Sequence, residues 1–81
     1  MREAVIVSTA RTPLAKSYRG AFNDTEAPVL SGHCVRHAVG RAKIDPAEVD
    51  DVIIGSAVQQ GSQAYNIGRL TTVTAGLPHS V

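Results

Sequence analysis

Only three aromatic residues, Tyr18, Phe22 and Tyr65, and no tryptophan occur in this chain of 81 residues. Any core must therefore be built from Val, Ile, Leu and Ala, and such a core is thin. The single cysteine, Cys34, excludes an internal disulfide. Small secreted domains rely on that staple, so its absence points to a reducing compartment, the cytoplasm. Eight Lys and Arg against seven Asp and Glu leave a net charge of +1, without the basic excess of a nucleic-acid or membrane-surface binder. The apolar run at the N-terminus, Ala4 to Val7, is too short for a signal-peptide core or a membrane span.

What is present reads as globular. Apolar residues make up 43% and charged residues 19%, a balance foreign to disordered tails. The length suits one small domain near the lower limit of self-supporting cores.

Glu3 to Ser8 (EAVIVS) is a β-branched run without polar alternation, the pattern of a strand covered on both faces in a parallel sheet. Thr9 to Thr25 has no sustained period and reads as a long loop. From Glu26 to Ala42, Leu30, Cys34, Val35, Ala38, Val39 and Ala42 recur at spacings of three and four, which predicts an amphipathic helix. Pro28 fits its first turn. Asp45-Pro46-Ala47-Glu48 is a helix-start signal in which Asp45 would accept from the Glu48 backbone and Glu48 would reach back, with Ile44 and Val49 as a hydrophobic staple. One or two helical turns to Asp50 should follow, then a second buried strand, Asp51 to Val58 (DVIIGSAV). Gln59 to Tyr65 reads as a loop. Asn66 would cap a last helix with Ile67, Leu70 and Val73 on one face, stopped by Gly76 and Pro78. Strand, helix and strand predict an α/β fold built on a right-handed βαβ unit.

Candidate chemistry is sparse. Arg11, Lys16 and Arg19 follow the C-terminal end of a predicted parallel strand, where α/β sheets place ligands, and suggest an anion site. No phosphate-loop spacing accompanies them, so loop anchoring or a subunit contact is the simpler reading. His33 and His37 have the i, i+4 spacing of zinc ligands but no third ligand, which favours a solvated helix face. Cys34 lies mid-helix in the apolar stripe, where a thiol acts as a small hydrophobe. Asp50 and Asp51 point to different sides and mark a helix end and strand entry. Gln59, Gln60, Gln63 and Asn66 offer polar groups that loop solvation explains.

The string Glu3-Ala4-Val5-Ile6-Val7-Ser8-Thr9-Ala10-Arg11-Thr12-Pro13, followed by Lys16, Arg19-Gly20 and Phe22, resembles the opening of the thiolases, the acetyl-CoA acetyltransferases and 3-ketoacyl-CoA thiolases. Asp45-Pro46, Glu48-Val49-Asp50-Asp51-Val52-Ile53, Gly55, Gly61, Asn66, Arg69 and Ala75-Gly76-Leu77-Pro78 continue the resemblance in the family's order. The family's usual Asn-Pro-Ala-Arg stands here as Asn66-Ile67-Gly68-Arg69.

The resemblance implies a layered α/β/α/β/α fold, assembled as a dimer or tetramer, and Claisen-type acyl transfer between CoA thioesters in fatty acid metabolism. A nucleophilic cysteine takes the acyl group, a second cysteine serves as acid and base, and a histidine activates the nucleophile. The substrates are acyl-CoA and CoA, with no resident cofactor, metal, nucleic acid or membrane. None of the catalytic or CoA-binding residues maps onto this chain: the family's nucleophile lies shortly downstream of the Gly-Leu-Pro that here is Gly76-Leu77-Pro78, beyond Val81. Residues 1–81 are then expected to be the N-terminal part of a thiolase N-terminal domain, cut before the nucleophile and contributing scaffold. The residues alone leave two other readings: a free-standing βαβ module binding an anion or nucleotide through Arg11, Lys16 and Arg19, or a fragment that folds only on a partner.

Overall fold

A computed structural model describes residues 2–14, 20, 25–57, 60–63 and 66–81. Its regular elements are helical: α1 (Ala27–Ala42), one-turn 3₁₀ segments at Pro46–Glu48 and Gly61–Gln63, and α2 (Ile67–Thr74).

Helix α1 forms where the period predicts it. Pro28 sits in its first turn, where a missing N–H removes no bond. Glu26 supplies no side-chain cap. Instead the Ser31 hydroxyl donates back to the Ala27 carbonyl at 3.1 Å. The predicted stripe, Leu30, Cys34, Val35, Ala38, Val39 and Ala42, is half-buried, and His33, Arg36, His37 and Arg41 are exposed. The helix ends at Lys43 in the left-handed region (φ 56°), whose N–H donates to the Gly40 carbonyl. Arg41 in the last turn donates from Nη1 to the Thr9 carbonyl at 3.0 Å and ties this end of α1 to the N-terminal segment.

The start signal at Asp45 works differently from the expected capping box. Asp45 Oδ1 accepts from Ala47 N at 3.0 Å, and Glu48 N donates to the Asp45 carbonyl at 2.8 Å. A 3₁₀ turn pairs i with i+3 and so consumes the Glu48 N–H that the capping box required. The turn closes at Glu48, short of Asp50. Ile44 is exposed rather than stapled.

Asn66 does cap α2, its side chain accepting from Arg69 N at 3.2 Å, and Gly76 (φ 78°) makes the left-handed reversal beyond it. The buried face is not the predicted one. Ile67, Gly68, Thr71 and Thr72 are buried, while Leu70 is 38% and Val73 62% exposed. The reason is close approach. A Cβ on Gly68 would meet the Val52 carbonyl oxygen at 3.3 Å, and one on Gly32 would meet Thr74 Cγ2 at 3.0 Å and Ala75 N at 3.3 Å. Small residues admit backbone contact that Leu70 and Val73 would block. The hydroxyls on this face are satisfied: Thr72 donates to the Gly68 carbonyl at 2.9 Å, and Ser31 and Thr71 share a hydrogen bond of 2.6 Å.

The predicted βαβ unit is absent among the described residues, where neither EAVIVS nor residues 51–57 of the second run form a strand. Ile6 is 86% and Ile53 87% exposed. A lone pair of strands is marginal in water and needs further strands or a covering face. Among the described residues the core is correspondingly small: Ile67, Ala75 and Leu77 are its buried apolar members. The radius of gyration is 13.8 Å, above the roughly 12 Å of a compact domain of this length.

Two substitutions in α1 test the crossing. Gly40 has open space where a Cβ would stand, so Gly40→Ala should stabilise the helices by up to about 1 kcal/mol. Gly32→Val should destabilise them by about 1–3 kcal/mol through overpacking against Thr74. Urea melts followed by helical circular dichroism read both; equal midpoints would refute the close crossing. Ser31→Ala alone should cost about 1–3 kcal/mol by orphaning the fully buried Thr71 hydroxyl, and Thr71→Val added to it should restore most of the loss.

Candidate functional site

Among the described residues, the groups singled out in the sequence do not converge. Lys16, Arg19 and Gln59 lie outside the described residues. Arg11 is exposed and donates from Nη1 to the neighbouring Thr12 carbonyl at 3.3 Å. It lines an open cleft with Thr9, Ala10, Pro13 and Arg41, so among the described residues a cation that shares this cleft with Arg11 comes from α1, a pairing that linear spacing hides. The His33 and His37 rings lie tilted at 47° to one another, with centroids 4.3 Å apart. Among the described residues no group of three His, Cys, Asp or Glu could hold a metal ion. Cys34 is a free, half-buried thiol in mid-helix. Asp50 and Asp51 are both exposed, and Asp51 Oδ1 accepts from the N–H of Val52 at 2.8 Å. Ser56 Oγ donates to Gln63 Oε1, so Gln63 closes the 56–63 loop. Gln60 is exposed.

Geometry instead gathers polar groups at the N-terminal end of α2. An open cleft of about 200 Å³ lies there, lined by Asp51, Val52, Asn66, Gly68, Arg69 and Val81. Asn66 takes a left-handed conformation (φ 65°), which asparagine tolerates better than most residues. That conformation turns its amide oxygen onto Arg69 N and starts the helix. One turn inside, the Arg69 guanidinium reaches across to the segment after Pro78. Its Nη1 donates to the Val81 backbone oxygen at 2.8 Å and its Nη2 to the His79 carbonyl at 3.0 Å. That segment is held from its other side as well. Leu77 is buried, its N–H donates to the Thr72 carbonyl at 3.2 Å, and Val81 N donates to the Pro78 carbonyl at 3.1 Å.

The cleft offers orientation rather than chemistry. Its hydroxyl, on Thr72, is committed to the Gly68 carbonyl, and neither a thiol nor an imidazole lines it. Sequence reasoning named Asn66 as a cap and saw Arg69 as part of the resemblance, but missed the grip on residues 79–81. An arginine one turn after a cap and ten residues before a post-proline turn was the available signal.

Comparison with known proteins places the chain in a family. The family model described as "Thiolase, N-terminal domain" matches residues 4–81. The chain is 41% identical over 81 residues to the 3-ketoacyl-CoA thiolase of Saccharophagus degradans, a match covering 99% of this chain and 21% of that protein. It is 40% identical over 82 residues to the 3-ketoacyl-CoA thiolase of Serratia proteamaculans, covering all of this chain and 21% of that protein. The relative from Erwinia tasmaniensis has the same name, identity and coverage. The chain thus spans about a fifth of the length of these relatives. From Ala4 to Val81 it belongs to the thiolase family, in the part that forms the N-terminal domain.

Proposed function

We propose that residues 1–81 are the N-terminal part of a thiolase that cleaves or forms 3-ketoacyl-CoA, and that they supply scaffold and no catalytic group. The observation that carries this is the match of residues 4–81 to the thiolase N-terminal domain, in a chain whose one cysteine sits inside a helix. A helix N-terminus lowers a thiol pKa and offers N–H donors to an oxyanion. Cys34, in the second turn of α1 and half-buried against its apolar stripe, is no such group.

In this reading the acyl group passes to a cysteine downstream of Gly76-Leu77-Pro78, with a second cysteine as acid and base and a histidine activating the nucleophile. The substrates are acyl-CoA and CoA, the enzyme is a cytoplasmic dimer or tetramer, and its place is fatty acid metabolism. Among the described residues no helix is long and apolar enough to cross a membrane. The runs EAVIVS and DVIIGSAV become neighbouring parallel strands of a βαβ unit once further strands cover them. Their exposed apolar side chains support this.

The test is thiolysis of a 3-ketoacyl-CoA by CoA, with the 81-residue chain and the whole thiolase polypeptide carrying it assayed side by side. The whole polypeptide should turn over and the 81-residue chain should not. Turnover by the short chain would overturn the scaffold role, and an inactive whole polypeptide would overturn the assigned reaction. Cys34→Ala in the whole polypeptide should leave turnover unchanged, whereas loss of a true nucleophile lowers it by roughly a million-fold.

A further inference from the structure

We propose that Arg69 is a positioning residue: its guanidinium fastens the backbone of residues 79–81 to the N-terminal end of α2 and so sets the course of the chain toward the catalytic cysteine. The proposal rests on the thiolase reading above, in which that cysteine follows Gly76-Leu77-Pro78.

Three observations carry it. The first is the form of the contact. Arg69 gives one donor to each of two backbone oxygens two residues apart, at 2.8 and 3.0 Å. A planar guanidinium presents parallel donors in a fixed fork, and a lysine ammonium is a single point that cannot reproduce it. Among the described residues these are the only groups the guanidinium binds: His79 offers an internal peptide carbonyl, while Val81 is the last residue of this chain and its oxygen here is one of the terminal carboxylate's.

The second is that the bracket has a fixed base. Asn66 accepts from Arg69 N at 3.2 Å, and the Asn66 carbonyl accepts from the same N–H at 3.1 Å. The backbone of Arg69 is therefore set by the residue that starts the helix, and the adjacent Gly68 lets α2 rest on the Val52 carbonyl.

The third is that the far end is otherwise held only locally. Leu77 is anchored by burial and by its bond to the Thr72 carbonyl, Gly76 makes the reversal before it, and Val81 N closes a turn onto Pro78. The Arg69 bonds span ten and twelve residues. They are the hydrogen bonds from outside the turn that reach His79 and Val81 among the described residues. Removing them frees the direction of the chain after Pro78 while leaving the α1–α2 crossing untouched.

The experiment uses the whole thiolase polypeptide with Arg69→Gln and Arg69→Lys. Thiolysis kinetics, alkylation of the nucleophile by iodoacetamide across pH, and hydrogen exchange of the 79–81 amides are the readouts. Arg69→Gln should lower kcat on the order of ten- to a hundred-fold with little change in KM, as a small misplacement of reacting groups does. It should slow alkylation in parallel and speed exchange at residues 79–81. Arg69→Lys should fall between Gln and wild type. A merely stabilising role would lower the melting temperature and leave kcat, KM and alkylation of the folded enzyme alone, which overturns the proposal. If Arg69→Gln does not fold, Arg69→Lys decides, and wild-type kcat with wild-type exchange refutes the bracket. Should the wild-type polypeptide show no thiolysis, the functional reading falls separately. Unaltered exchange at 79–81 in Arg69→Gln would then still refute the bracket, and faster exchange would support it.

Discussion

Among the described residues, the packing depends on how closely α1 and α2 can approach. At Gly32 the second helix comes near enough that a methyl group would touch Thr74 and the backbone of Ala75. One turn of α2 earlier, the hydroxyls of Ser31 and Thr71 meet at 2.6 Å. Such contact is dense in van der Waals terms and has no large side chains to lose order. It suits a sequence almost without aromatics. A hydroxyl pair in that seam also fixes register, because an unpaired buried hydroxyl is expensive and a slip of one residue would strand that of Thr71.

The crossing places the rest. Because α2 lies with Gly68, Thr71 and Thr72 inward, its N-terminal end opens beside Val52, and Arg69 is left facing the turn after Pro78. These residues hold a path for the backbone, and in the function proposed above the groups that exchange acyl chains and protons lie elsewhere in the thiolase.

Helix α1 was legible because its apolar period is long, and the start and stop of α2 were legible because Asn66 and Gly76 have local mechanisms that need no tertiary partner. The buried face of α2 was not. Hydrophobicity favours Leu70 and Val73, but backbone proximity favours glycine and threonine, and proximity is decided by Gly32, more than thirty residues away in sequence. The strands were read from composition alone. Composition records a preference for burial on both faces, whereas a ladder also requires neighbours to accept and donate its hydrogen bonds. The family was legible because many weakly informative positions fall in order along the whole chain, while the grip of Arg69 joins residues that no local pattern connects.

The bare apolar runs have a consequence for the polypeptide before it has finished folding. Val5, Ile6 and Val7 leave the ribosome first, and Ile53 follows about 50 residues later, a delay of roughly 2–10 s at ordinary elongation rates. In that interval a β-branched segment with unpaired N–H and C=O groups is a template for the same segment on a neighbouring nascent chain. Segments of this kind on chains made side by side therefore favour co-translational association with one another until they are covered.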